Sequence, residues 1–539
     1  MSGHRHLISL LEKKGHSARS LDCIAKKLSY EDSLKYINEF SPSLIVISSI
    51  LTPQDSIKYA KFLVNNWVKA HLITFGETTL NHKYILKKAH CIDFVIMGEP
   101  ENTLLDIADY YEGKIKIGDI NGTAYLHNAE VVENKLRHAI DNLDELGMPI
   151  LKFPEDDTNK RYYILSSKGC YGNCTFCRTQ SYNQLNPGKK WRYKSPGAVV
   201  DEMESVHKVN KGAVFYFYDQ EFMGGGIPEG KDRAYKIAEE ILKRNLKLRF
   251  SFLCRPDDVE LNLFKHLKTT GLSSVFIGIE SGSQKVLDRF RKGITVAVNE
   301  NAIYTLNELK IPFQAGWLMY HPKAVLSEIK ENLQFIRRTR LYMSIWFYVA
   351  IFNDVRLYYK TPLFWEFAKN DGKSFESLYD TFEYPFNYSD PSMNMLLIGL
   401  FTFHHLVKQY MGLLTFCLNR SHLIVKKKTR FIEWIDYVDK MTSFEQNLGL
   451  LVLESFEKAV HIIDERQRTI SNSFYSSVQE SVGKDIDKEV VQDFYNYAQK
   501  HFKKDAQSMF DEILDFLLSL EIIKSGELAA FTQNLKENI

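Results

Sequence analysis

The chain is poor in cysteine, with seven in 539 residues. An odd number, three clustered and Cys23, Cys91, Cys254 and Cys417 scattered, makes no disulfide framework and points to a reducing cytoplasm. An excess of one charge is also missing: 69 Lys and Arg stand against 67 Asp and Glu, a formal net charge of +2. So slight a balance gives no argument for nucleic acid or an anionic membrane as the main partner. No apolar run reaches membrane-spanning length; the nearest, 395–418, is broken by His404, His405, Lys408 and Gln409 and is expected to be a buried helix. Met1–His6 lacks an apolar signal core, and no long repeat or low-complexity tract is present. What remains, 45% hydrophobic and 25% charged residues over this length, describes an ordinary globular protein of two to four domains.

What the sequence does contain is Ser166-Ser167-Lys168-Gly169-Cys170-Tyr171-Gly172-Asn173-Cys174-Thr175-Phe176-Cys177. On a glycine-containing loop after the apolar run Tyr162–Leu165, the thiolates of Cys170, Cys174 and Cys177 can turn onto one metal centre. No fourth ligand accompanies them, which is the signature of an open, reactive position. A three-cysteine zinc site completed by a distant His, or plain burial, would use the same residues differently.

The C-x3-C-x2-C spacing with an aromatic before the last cysteine resembles the cluster loop of the radical S-adenosylmethionine (SAM) enzymes. The resemblance implies a [4Fe-4S] cluster held by Cys170, Cys174 and Cys177, with SAM chelated at its fourth iron. It further implies cleavage of SAM to a 5'-deoxyadenosyl radical that abstracts a substrate hydrogen, with Phe176 near the adenine.

Before this loop, residues 1–125 alternate strand-like runs with helical patterns. Ala18–Leu21, Leu44–Ile47, His71–Phe75 and Phe94–Met97 are expected as strands, and Ile57, Ala60 and Val64 as one helix face, with Leu104, Leu105 and Ala108 as another. Alternation of this kind predicts a parallel, Rossmann-like sheet with helices on both faces. Leu10–His16, Ser41–Ser49 and Gly98-Glu99-Pro100-Glu101-Asn102-Thr103 resemble the cobalamin-binding domain that precedes the radical core in one large class of these enzymes. By that resemblance Ser48, Ser49, Gly76, Gly98 and Glu99 line the corrin side. The chain starts inside the first helix, so the family's first strand is missing or lies upstream of Met1. No Asp-x-His-x-x-Gly is present to supply a cobalt-ligating histidine. A degenerate sheet kept for packing is the other reading of this stretch.

Residues 126–160, with the charged Pro154–Lys160, are expected to be a connector, and 161–385 the radical core. Ser195-Pro196 should open a helix whose buried face is Val199, Met203 and Val206. Strand-like runs at 213–218, 248–253, 274–280, 312–319 and 343–351, with the strand before the cysteines, make six βα units. That number predicts a partial (βα)6 TIM-like barrel with its chemistry at the C-terminal strand ends. At those ends Asp219 resembles the family's acidic motif for the SAM ammonium, and Arg255 its cation for the SAM carboxylate. In Ile277–Ser283, Gly278 and Ser281 permit close backbone approach, and Glu280 can accept from ribose hydroxyls. His321, before a proline, is read as structural. Residues 386–539 are expected to be an α-helical region, with Phe431, Trp434, Ile435 and Val438, and then Ile513, Phe516 and Leu517, at helical spacing; Lys426–Arg430 is read as solvated surface.

The fold class is therefore α/β: a Rossmann-like sheet, a partial barrel, then helices. The leading function is a cobalamin-dependent radical SAM methylation of an unactivated carbon in a small-molecule or peptide substrate, with an electron donor such as flavodoxin or ferredoxin. The runner-up is a non-methylating radical cyclisation, rearrangement or cross-linking. A non-enzymatic zinc or interaction protein is the reading from another class.

Overall fold

The computed structural model describes residues 2–24, 26–49, 52–150 and 161–368, with short pieces between 383 and 461. The N-terminal part runs α1 (Ser2–Lys13), α2 (Tyr30–Phe40), β1 (Leu44–Ser48), α3 (Pro53–Asn65), β2 (His71–Phe75), α4 (His82–Lys88), β3 (Phe94–Ile96), α5 (Glu101–Tyr111), β4 (Thr123–His127) and β5 (Glu130–Glu133). Local chemistry starts its helices: Ser29 and Asp32 form a capping box for α2, and Thr52 caps α3 ahead of Pro53 in the first turn. The sheet order is β1-β2-β3-β4-β5, parallel through β3 and antiparallel after it. The hairpin β4–β5 thus carries the sheet to Glu133, into the stretch expected to be connector.

Two expectations for this sheet fail on physical grounds. Ala18–Leu21 forms no strand; Arg19 instead lays its guanidinium over the Phe40 ring at 4.6 Å, and β1 is the sheet edge. The buried face of α3 runs Ile57, Ala60 and Leu63, while Val64 is 45% exposed. A step of three keeps nearer to the inward face here than the step of four that reaches Val64.

The second part runs β6 (Arg161–Ile164), β7 (Ser167–Gly169), α6 (Arg178–Asn183), β8 (Trp191–Tyr193), α7 (Pro196–Val209), β9 (Val214–Phe217), α8 (Pro228–Lys243), β10 (Arg249–Cys254), α9 (Leu261–Thr269), β11 (Leu272–Glu280), α10 (Gln284–Arg289), α11 (Val296–Glu308), β12 (Phe313–Trp317), α12 (Leu326–Thr339) and α13 (Phe347–Ala350). Strands β6, β9, β10, β11 and β12 form one parallel sheet in sequence order, and β7 pairs with β8 as a separate ribbon. Helices pack on one face of that sheet through Val199, Met203, Ile237, Phe264 and Ile303. Ser195 caps α7 as the sequence predicts, and Val199, Met203 and Val206 are its buried residues.

The expected strand at 343–351 is instead a turn at Leu341–Met343 followed by α13. Phe347, Ala350 and Ile351 are buried at i, i+3, i+4, a helical period that alternation cannot satisfy. The sixth barrel position falls to Asp354, which makes a single parallel bridge with Tyr320. Beyond it, Leu448, Val452 and Phe456 join the core of the barrel helices. The expected helices around Phe431 and Ile513, the basic run Lys426–Arg430, Cys417 and Pro154–Lys160 lie outside the described residues. Among the described residues, no helix is long and apolar enough to cross a membrane.

Candidate active site

The cysteines sit on a loop tethered at every turn. Gly169, at φ 85°, puts its Cα where a Cβ would strike the Lys190 carbonyl, which accepts from Cys170 N–H at 3.1 Å. Tyr171 N–H donates to Gly224 O at 2.9 Å, and Thr175 N–H to Phe290 O at 2.9 Å. A Cβ on Gly172 would stand 3.2 Å from Cys170 Sγ, 3.3 Å from Arg255 Nη1 and 3.9 Å from Cys174 Sγ. Two sulfurs and a guanidinium therefore surround a space that glycine leaves open. Cys177, at the N-cap of α6, is near enough for its charge to disfavour ionisation of both other thiols.

Among the described residues, no three His, Cys, Asp or Glu side chains converge tightly enough for a single metal ion. Three thiols spread around a shared opening instead suit a wider, multi-iron body, and an all-sulfur donor set suits iron–sulfur chemistry. Burial, then Glu221, pushes the Cys170 thiol up to about 12, and burial raises Cys174 against the opposing charge of Lys292. Loading the site must therefore expel protons from buried thiols.

Arg255 is buried and lies where the sequence reading put it. Its Nε donates to Asp257 Oδ1 at 2.9 Å and its Nη2 to Lys292 O at 2.7 Å, which leaves Nη1 toward the cysteines. Glu280 stands at the end of β11 with φ 62°, at a register shift against β12, so a bulge aims its side chain. Its Oε1 accepts from Lys292 Nζ at 2.9 Å, and a Cβ on Gly278 would meet that pair at 2.7 and 2.8 Å. Lys292, twelve residues beyond Glu280, is not singled out by the sequence. Burial alone would lower its pKa; Glu280 and Cys174 outweigh this and hold it raised. Phe176 packs edge-to-face on Phe290 at 5.1 Å.

Two expected SAM contacts take other parts. Asp219 is wholly committed: Oδ1 accepts from Ser166 N–H at 2.7 Å and Ser167 N–H at 2.9 Å, and Oδ2 from Ser166 Oγ at 2.5 Å. Held by these bonds, it braces the start of the cysteine loop. Ser281 is likewise closed, its Oγ donating to Asn332 Oδ1 at 2.7 Å and accepting from Ser283 N–H at 3.1 Å. His321 is buried between Arg289 and Glu328, at 2.9 and 3.2 Å.

The N-terminal sheet turns its C-terminal edge to the same loop. Ser48 ends β1 with a buried Oγ that has no hydrogen-bond partner among the described residues, and Ser49 bonds Ser56 at 3.0 Å. Gly76, at φ 118°, lies so close to Ser49 that a Cβ would strike its carbonyl. Glu77 reaches Arg178, the residue after Cys177, at 3.1 Å. Gly98 and Glu99, expected on the corrin side, are spent on the barrel. A Cβ on Gly98 would strike Asn186, Tyr182 Oη donates to Gly98 O at 2.5 Å, and Arg192 grips Glu99 with two bonds at 2.5 and 3.0 Å. Lys168 pairs with Glu101 at 2.6 Å; burial would lower its pKa, but Glu101 and Glu99 keep it raised. The signal for this clamp was present: a turn with two carboxylates that become buried requires two cations.

Comparison with known proteins agrees with this geometry. Residues 164–336 match the Radical SAM superfamily. The chain is 25% identical over 346 residues to an uncharacterised methyltransferase of Pyrococcus horikoshii, covering 62% of this chain and 72% of that one. It is 28% identical over 268 residues to the 4'-phospho-dehydrooxetanocin synthase of Priestia megaterium, covering 46% of this chain but only 35% of that one. Among solved structures, the cobalamin-dependent SAM radical enzyme OxsB with aqua-cobalamin and SAM bound superposes on 100% of this chain and 81% of its own, with TM-score 0.76 at 19% identity. A three-cysteine loop at the strand ends of a partial barrel, within the residues that match the radical SAM superfamily, identifies the chain as an enzyme with a radical SAM domain, behind a Rossmann-like sheet that shares the fold of the cobalamin-dependent enzyme.

Proposed function

We propose that the chain methylates an unactivated carbon of a small molecule or peptide in a cobalamin-dependent radical reaction. The bound cluster with SAM supplies hydrogen abstraction, and cobalamin supplies a carrier for the methyl group. The chain's share is to bind, orient and exclude water. Cys170, Cys174 and Cys177 would hold the cluster. Arg255, with Nη1 free, would face the SAM carboxylate, and Gly278 and Glu280 would take the sugar side, with Phe176 by the adenine. Ser48, Ser49 and Gly76 would line the cobalamin, in an edge kept low by glycine. The observation that carries this reading is the junction of the two edges: Glu77, following β2, reaches Arg178, next to Cys177, at 3.1 Å. A ligand on the sheet edge and one on the cysteine loop would face a common cleft.

Anaerobically reconstituted protein should carry about four irons, and replacing Cys170, Cys174 and Cys177 together by Ala should remove them. Hydroxocobalamin should co-elute with the chain, and Gly76→Val should release it while the iron stays. With reductant and SAM, methylation yields both S-adenosylhomocysteine and 5'-deoxyadenosine. The second reading, a radical rearrangement or cyclisation without methyl transfer, is favoured by likeness to a relative named a synthase. It predicts 5'-deoxyadenosine alone.

A further inference from the structure

The starting ends of the N-terminal strands carry a groove that the reaction does not use. Helix α3 runs back from β1 to Asn65 and α4 back from β2 to Lys88, so both finish on the edge of the sheet opposite Ser48 and Gly76. Between those two ends lies an open groove of about 360 Å³, lined by Lys61, Val64, Lys87, Lys88, His90 and Cys91 among others, with no Asp or Glu in its wall. The three lysines and His90 are exposed, and among the described residues no carboxylate pairs with Lys61, Lys87 or Lys88. Asp93, two residues past Cys91, is taken up by Leu72 N–H at 2.8 Å and by His71 at 3.5 Å.

The rim of this groove is apolar where the fold gives no reason for it. Helix α3 closes in a Schellman motif: Trp67 N–H donates to Val64 O at 3.0 Å and Val68 N–H to Leu63 O at 3.2 Å, with Trp67 at φ 60° in the left-handed slot. Glycine takes that slot without strain. A tryptophan there costs backbone energy, and this one is 87% exposed, so burial does not offset the cost. Val64, in the groove wall three residues earlier, is exposed as well. Lys87 and Lys88 have a local explanation, since they sit in the last turn of α4, where cations suit the helix dipole. Lys61 lies before the last turn of α3, and the dipole accounts for neither it nor Trp67. An exposed tryptophan beside unpaired cations has the composition of a binding surface: the ring supplies contact area, and the charges choose an anionic partner and repel a basic one.

We propose that the groove between the ends of α3 and α4 docks an acidic protein partner, one that lays a carboxylate-rich segment along Lys61, Lys87 and Lys88 and packs a large apolar side chain on Val64 and Trp67. The surface lies on the edge of the sheet away from the cysteine loop, so docking there leaves that loop open, and the proposal stands apart from the reaction assigned above.

The test measures binding alone. The purified full chain is titrated into a short fluorescein-labelled peptide of glutamates flanking one phenylalanine, followed by anisotropy at low salt. Saturable binding is expected, weakening as salt is raised, and the same peptide with glutamine for glutamate should bind about tenfold more weakly. Lys61→Glu combined with Lys87→Glu should weaken binding by about tenfold or more, and Trp67→Gly by about tenfold. Because Trp67→Gly relaxes the left-handed position, its loss of binding is not a loss of fold. Absence of saturable binding by the unaltered chain, equal binding of the glutamine peptide, or unchanged affinity in Trp67→Gly or in the double lysine variant overturns the proposal. So does a concentration-dependent dimer that Trp67→Gly dissolves, or tighter binding of a single-stranded DNA oligomer that the lysine changes abolish, since the occupant is then a second copy or a nucleic acid. Failure of the unaltered chain to form 5'-deoxyadenosine would instead count against the radical reading and leave the peptide result standing.

Discussion

The two parallel sheets end on a common cleft but secure their loops in opposite ways. The barrel sheet is self-sufficient: Asp219 ties down the first turn of the cysteine loop, and Arg233 donates to Ser166 O at 3.0 Å and Lys194 O at 3.0 Å. The N-terminal sheet ends at Ser48, Ser49 and Gly76, and the turn after β3 is held by side chains of the other part, Tyr182, Asn186 and Arg192. One loop is tied chiefly within its own sheet, with Lys168 and Arg178 reaching across to Glu101 and Glu77. The other keeps its shape only while docked.

If that contrast is right, the largest effect comes from the self-sufficient side. Asp219→Ala strips three hydrogen bonds and leaves the buried N–H groups of Ser166 and Ser167 without their acceptor, a change of about 3–5 kcal/mol for the set. Urea unfolding should show it, and iron content should fall with it. Unchanged stability together with weakened SAM binding would return Asp219 to the role of an ammonium ligand. On the dependent side, Glu101→Gln weakens the pair with Lys168 and should cost about 1.5–3 kcal/mol. Lys168→Met combined with Glu101→Gln should recover part of that loss, because the unpaired charge is then gone. Full additivity of the two changes would mean that the clamp is no clamp.

The same contrast explains how much could be read from the sequence. The cysteine loop was legible because its three thiols and its glycines are contiguous, and Arg255 and Glu280 were singled out by resemblance to the family's strand-end motifs. The bonds that Asp219 makes were not legible, since nothing in the sequence says that Ser166 and Ser167 turn back onto it. Gly98 and Glu99 were misassigned for a related reason: their partners lie 84 or more residues away along the chain, on the other sheet's loops. At 343–351 the aromatic run obscured a helical period that only burial resolves. Lys292 belongs to the same class, a buried cation whose meaning depends on Glu280 folding over it.

The smallest of these effects asks to which side α1 belongs. Its His6 is fully buried, and Lys194 Nζ, paired with Glu202 at 2.8 Å, stands 3.2 Å from His6 Nε2. Arg5, beside it, covers the Tyr162 ring of β6 at 4.7 Å. Burial, then Lys194, Lys168 and Lys13, pushes the His6 pKa down to about 2. The folded imidazole therefore stays neutral while the unfolded one takes a proton below about 6.5. The stability this neutrality allows is complete above that value and declines as pH falls, by about 1.4 kcal/mol at one unit below it. Urea midpoints should thus drop between pH 7.5 and 5.5, and His6→Gln, which cannot titrate, should flatten that part of the slope. If α1 is a piece of the barrel, the drop will appear in the transition that releases iron. If α1 travels with the N-terminal sheet, iron will be retained through it, and the helix is then one more element of that sheet that depends on the barrel to stay in place.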